Sequence, residues 1–198
     1  KEGVNDDPES REFYCEVIMD EAGKMNRMVK NLLALNQLEF GEDDVQFERF
    51  DITSLISGVL QSLDILIEQK EAQVIFRHKN PVYVWADEFK VEQVVRNYVN
   101  NALNHIDGEK VIEIKITQEN DMAKITVFNT GTPIPEEDLP HIWEKFYKVD
   151  KARTREYGGS GIGLSIVKAI MEGLHQQYGV QNYDNGVEFW FTLDRKND

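Results

Sequence analysis

The sequence predicts an α+β fold: a two-layer sandwich in which a mixed, mostly antiparallel sheet carries helices on one face, preceded by a long helix. Three observations lead there. Residues 8–40 hold an apolar spacing of three and four throughout. "VIEIKITQ" and "AKITVFN" alternate apolar and polar residues on either side of a polar "END", which reads as an antiparallel hairpin. Elsewhere, strand-like and helix-like runs follow one another without the βαβ alternation that a parallel sheet requires.

Taken in order, Pro8 stands where a first-turn proline is tolerated, with acidic Glu9 after it. Val17, Ile18, Met25, Met28, Val29, Leu32, Leu33, Leu35 and Leu38 then mark one helix ending near Gly41. Such a helix needs a partner to stay folded, either the core of the same domain or a second helix in a dimerisation hairpin. "VQFERFDI" reads as a strand, and Asp51 or Thr53 caps a helix running to about Gln69. "AQVIFRH" and "VYVWAD" are strand-like. A helix from Glu88 to His105 precedes the hairpin. After Asn129 come about thirty residues without a strong pattern, too long for an idle loop, with short helical pieces expected around "EEDL" and "HIWEKFYK". A helix from Ile162 to Leu174 and a strand pair turning at "YDNG", with "VEFWFTL" as the last strand, complete the chain.

Composition narrows the functions. The 198 residues are 41% hydrophobic and 29% charged, the balance of a folded protein. A net charge of −14 without a Lys/Arg cluster speaks against nucleic acid as a partner. One cysteine, Cys15, excludes an intrachain disulfide and a cysteine-built zinc site. No apolar run approaches the roughly 20 residues of a membrane span. The chain begins with Lys1 and shows no signal peptide, so a piece of a longer protein is expected.

Three stretches carry chemistry. In "DEFKVEQVVRNYVNNALNHI", Gln93, Asn97, Asn101 and Asn104 fall four, four and three residues apart, on one helix face. Asparagine is a mediocre helix former, and a solvated face would more economically use Glu and Lys. The row points to neutral ligands for something charged, and one Asn oxygen suffices to complete a Mg²⁺ shell made mostly of water and phosphate. "FNTGTPIP" ends a strand at Asn129 and turns at Gly131, by itself compatible with an ordinary loop exit. "REYGGSGIGLSIVKAI" places Gly159, Gly161 and Gly163 directly before a helix, where bare backbone and helix amides can receive a phosphate or serve a mobile lid. It is neither a Walker loop nor a good dinucleotide fingerprint.

In this order, with "WEKFY" between the last two, these stretches resemble the ATP-binding domain of sensor histidine kinases. That superfamily includes DNA gyrase, the MutL proteins and the ninety-kilodalton heat-shock chaperone. The resemblance covers about residues 45–198, and "MVKNLLALNQLEFG" looks like the second helix of the dimerisation and phosphoacceptor hairpin, giving a division into 1–44 and 45–198. It implies ATP and Mg²⁺ as cofactors and a long ATP lid over residues 131–160. Asn97 and Asn101 fall on the N box, with Asn101 as the metal ligand and Asn104 beside it. Asn129, Gly131 and Ile134 fall on the first glycine box, which recognises adenine. Phe146 and Tyr147 fall on the aromatic box. Gly159, Gly161 and Gly163 fall on the phosphate-cradling second glycine box, with Ile162 and Leu164 packing nearby. Asn97, Lys148 and Arg153 take the catalytic roles, the two cations meeting phosphate.

The activity implied is transfer of the ATP γ-phosphate to a hairpin histidine and relay to a response-regulator receiver domain. The intact protein is then a homodimer through the hairpin, a cytoplasmic portion of a membrane-anchored bacterial sensor with its membrane segments upstream. His78, His105, His141 and His175 lack the phosphoacceptor context, so the chain by itself is expected not to phosphorylate itself. There are departures from the family pattern. Asn129 replaces the usual Asp, Pro133 a common glycine and Asn104 a frequent Lys, while Val187 and Glu188 replace small hydroxyl residues. They keep open an alternative, a catalytically weakened nucleotide-binding interaction module. A gyrase-type ATPase fits less well, because Asn97 stands where those enzymes place a general-base Glu, and an amide cannot serve as one.

Overall fold

The computed structural model describes residues 8–40, 45–78, 80–149 and 161–196. Helix α1 (Pro8–Phe40) has the predicted extent and opens with Glu9 in its first turn. Most of its apolar residues are exposed, but Leu35 is fully buried. Strand β1 (Glu48–Asp51) leads into α2 (Ile52–Ser62) and α3 (Asp64–Gln69). Then come β2 (Gln73–Phe76), β3 (Tyr83–Ala86), α4 (Glu88–His105), β4 (Val111–Glu119) and β5 (Met122–Thr130). Helix α5 (Gly163–Gly173), β6 (Tyr178–Tyr183) and β7 (Gly186–Asp194) follow.

Among the described residues the seven strands form one sheet in the order β1-β3-β7-β5-β4-β2, with β6 also paired to β7. Only the β2–β4 pairing is parallel, so the sheet is mixed and mostly antiparallel, as predicted. The period-two residues Ala123, Ile125 and Val127 of β5 and Phe189, Phe191 and Leu193 of β7 are buried. They meet the apolar stripes of α4 (Val91, Val94, Val95) and α5 (Ile166, Val167, Ile170). Tyr98 is the largest fully buried side chain among the described residues. Its ring lies 5.3 Å from Phe189 and 6.0 Å from Phe191, and its hydroxyl donates to the Trp190 carbonyl at 3.3 Å. On the other sheet face, the Lys124 ammonium sits 4.6 Å from the Trp190 ring centroid. The layers are those of an α+β sandwich with helices on one face.

Three local expectations are corrected. The strand at "VQFERFDI" shrinks to Glu48–Asp51. Before it the Gln46 amide donates to Asp87 and the Phe47 amide to the Val45 carbonyl. It ends where Asp51 caps α2, accepting from the Thr53 amide at 3.0 Å and the Val82 amide at 3.0 Å. The helix expected to run to Gln69 breaks at Leu63, which leaves the helical region (φ −106°, ψ 4°) and ends α2 before α3 begins. The pieces around "EEDL" and "HIWEKFYK" form turns rather than helices. Isolated bonds such as Ile142 N–H to Asp138 C=O (3.1 Å) are made but not propagated.

Candidate functional site

Helix α4 begins at an Asp87 cap: the carboxylate accepts from the Lys90 amide at 3.0 Å, and its other oxygen accepts from the Gln46 amide at 3.2 Å. The helix then turns Asn97, Asn101 and Asn104 to one half-buried face. The Asn97 Nδ2 donates back to the Gln93 carbonyl at 2.9 Å, which fixes the carboxamide and turns Oδ1 outward. There it meets the start of α5. A Cβ built on Gly163 would lie 3.0 Å from that oxygen, so the bare glycine brings the amino end of α5 against the asparagine row. The residue at its N-cap, Ile162, brings no capping side chain. The opening of α5 is a cluster of backbone amides carrying partial positive charge, the arrangement that receives phosphate.

The second wall is the end of β5. Asn129 is buried, and its Nδ2 donates to the Thr130 carbonyl at 3.1 Å. That leaves Oδ1 as the atom offered to an incoming donor. Thr130 ties this end to α4, its carbonyl also accepting from the Asp107 amide at 3.1 Å. Gly131 then passes so close to the end of α4 that a Cβ would lie 2.5 Å from the His105 carbonyl oxygen. Only glycine fits that gap.

The third part begins the long loop. Ile134 is half-buried against the core. Trp143 packs edge-on against Tyr178 at 4.8 Å and against Phe189 at 6.1 Å. Tyr147 donates its hydroxyl to the Asp138 carboxylate. That bond raises the Tyr147 pKa, helped by burial and by Asp138, Glu144 and Glu137 nearby. Phe146 is exposed and adopts a left-handed conformation (φ 65°). Its N–H donates to the Gly161 carbonyl at 2.8 Å. Gly161 is itself left-handed (φ 69°), and a Cβ there would lie 3.0 Å from the Phe146 backbone. Ile162 behind it is fully buried, while Leu164 and Lys148 are half-buried.

Thus the structure brings Asn97 against Gly163 and Phe146 against Gly161. Arg153 and Gly159 lie outside the described residues. Reading the sequence missed two anchors. One is Asp87, whose signal was its place before an apolar helix pattern. The other is Asn182, whose carboxamide bonds both backbone groups of Ile134. Its only signal was an asparagine inside a strand, where that residue is depleted.

A model of the histidine kinase-, DNA gyrase B- and HSP90-like ATPases matches residues 86–197. The chain is 30% identical over 200 residues to the sensor histidine kinase WalK of Bacillus subtilis, covering 98% of this chain and 32% of that protein. It is 34% identical over 171 residues to the sensor histidine kinase YkoH of the same species, covering 83% and 35% respectively. It therefore spans about a third of the length of these curated relatives. Among solved structures, the nucleotide-free catalytic domain of the histidine kinase ThkA superposes with a TM-score of 0.67 at 29% identity, over 76% of this chain and 96% of that one. ThkA in complex with the response regulator protein TrrA superposes at 0.76 with 26% identity, over 96% and 53%. The chain belongs to the histidine kinase-, DNA gyrase B- and HSP90-like ATPase family, as an ATP-binding catalytic domain of the sensor histidine kinase kind.

Proposed function

We propose that residues 45–198 move the γ-phosphate of Mg-ATP to a histidine on a dimerisation hairpin, of which α1 is the second helix, and that a response-regulator receiver domain then accepts it on an aspartate. The observation that carries this reading is the close approach of Gly163 to Asn97 of α4, the same helix whose end Gly131 approaches just after buried Asn129. A triphosphate suits the chemistry beside that junction: the amide-bearing start of α5, to which Ile162 brings no capping side chain, lies against the carboxamide row. The family relationship and the regulator complex of ThkA support the partner.

The roles follow from chemistry. The Asn129 Oδ1 accepts from the adenine amino group, while Ile134 and the residues around Gly131 wall the base. Asn101 offers one oxygen to Mg²⁺, which draws charge off the phosphates during transfer. Among the described residues no group of three or more His, Cys, Asp or Glu side chains is able to hold a metal. A site with one carboxamide ligand and phosphate oxygens suits that setting. The α5 amides, with Gly159, Gly161, Ile162, Gly163 and Leu164 around them, hold the phosphates. Asn97, Lys148 and Arg153 orient and neutralise them, and Phe146 and Tyr147 brace the lid. Positioning and charge neutralisation carry most of phosphoryl transfer, which asks little covalent chemistry of the protein.

The test mixes the 198-residue chain with radiolabelled ATP, Mg²⁺ and a separate hairpin bearing the acceptor histidine. The expected product is acid-labile phosphate on the hairpin and none on the chain itself. Phosphohistidine on the chain alone contradicts the assignment. Saturable nucleotide binding without transfer favours the weakened interaction module. The same helix α1 predicts homodimers through the hairpin, with any membrane anchor lying in segments outside this chain.

A further inference from the structure

Asn129 of β5, Val187 of β7 and Asn182 of β6 stand in one row across three antiparallel strands. Directly paired residues share a sheet face, so both asparagines point to the helix-bearing side and flank buried Val187. Strand spacing sets their backbones roughly 10 Å apart. The chain leaving β5 crosses this row. The Gly131 amide donates to the Asn185 carbonyl in the β6–β7 turn at 3.0 Å. Three residues later Ile134 reaches β6, where its N–H donates to the Asn182 Oδ1 at 3.0 Å and its carbonyl accepts from Nδ2 at 2.7 Å.

A carboxamide presents one donor and one acceptor side by side in a plane. It therefore matches the paired backbone groups of a single residue, which neither a hydroxyl nor a carboxylate does as fully. Residues 131–135 run between two fixed ends, Gly131 at the turn and Ile134 at Asn182. Both ends belong to the sheet that carries Asn129.

We propose that Asn182 is a positioning residue for adenine binding: its two bonds to Ile134 hold the 131–135 segment over the Asn129–Val187 row as the outer wall of the base pocket. This rests on the reading of Asn129 and Gly131 as the adenine site. Asn182 touches no nucleotide itself and acts through Ile134. Removing its carboxamide releases that wall while leaving the α4–α5 phosphate junction as it is.

The test titrates the 198-residue chain and its N182A and N182D variants with MgATP and MgADP by calorimetry, at pH 8 and pH 5, with the wild type measured at each pH. N182A is expected to weaken both nucleotides by the same factor, roughly tenfold, the loss of two modest hydrogen bonds. The ATP-to-ADP affinity ratio stays at its wild-type value because the phosphate end is untouched. N182D keeps the shape and the acceptor but loses the donor, so it is expected to bind weakly at pH 8. At pH 5, where a carboxyl facing a carbonyl regains its proton, it recovers relative to the wild type.

Wild-type affinity in N182A overturns the proposal. So does a loss that changes the ATP-to-ADP ratio, or an N182D defect that is the same at both pH values, since either marks general structural damage. Failure of the wild-type chain to bind MgADP at all overturns the adenine-site reading together with it, and is recognised without any variant.

Discussion

Helices α1 and α4 carry apolar stripes of the same spacing, and the two are covered very differently. In α4 the stripe of Val91, Val94, Val95 and Tyr98 is wholly buried against the sheet. In α1, Ile18 is 67% exposed, Met19 75% and Met25 66%, and among the described side chains Leu35 near its end is the one buried in the core. Periodicity therefore tells which face of a helix is sticky and says nothing of what covers it. The sheet and α4 bury their apolar residues against each other, whereas most of the described length of α1 presents apolar side chains to solvent.

Truncation at matched positions sharpens this contrast. Tyr98→Ala removes a fully buried ring and its hydroxyl bond to Trp190. Urea unfolding is expected to lose about 3–5 kcal/mol. Gly131→Ala sets a methyl 2.5 Å from a backbone oxygen, with φ at 152°. Because the obstacle is main chain, the expected loss is about 2 kcal/mol, accompanied by weaker nucleotide binding in the same titration.

Asp51→Ala removes the cap that joins β1, α2 and the segment before β3, at about 1 kcal/mol near neutral pH. Burial pushes the Asp51 pKa upward, but the Ser54 hydroxyl and the Thr53 and Val82 amides outweigh it and hold it below the ordinary carboxylate value. The stabilisation is therefore complete above the unfolded pKa of about 3.9 and disappears as pH falls through the lower folded value. Melting curves of wild type and variant should converge only in that acid range. The smallest effect belongs to Ile18→Ala, exposed on α1, expected to move unfolding of the sheet domain by less than about 0.5 kcal/mol. A loss comparable to that of Tyr98→Ala would break the comparison.

Much of this was legible because local rules and tertiary demands agree. The helix α4 runs from Glu88 to His105 as predicted, although its cap Asp87 was not named, and the period-two runs and polar turn bound β4 and β5. The break at Leu63 was not legible, because the apolar spacing continues through it to Leu66 and Ile67, which still pack against the core. The turns between Asp138 and Tyr147 looked helical by composition. Trp143, drawn onto Tyr178 and Phe189, dictates their path instead. For the site, residue identity pointed to Asn97, Asn129 and Gly163, whereas Asn182 acts across 48 residues of chain. Only a strand register that the sequence does not spell out makes that visible.

The bond between the Phe146 amide and the Gly161 carbonyl involves main-chain atoms alone. It pins the two edges of the intervening segment together whatever side chains that segment carries. Doubling the length of a closed loop costs only about 0.6 kcal/mol. Insertions or deletions between Tyr147 and Ser160 should thus leave both pocket walls in register. A change of length there is therefore expected to disturb the phosphate contacts proposed for Lys148, Arg153 and Gly159 before it disturbs the fold.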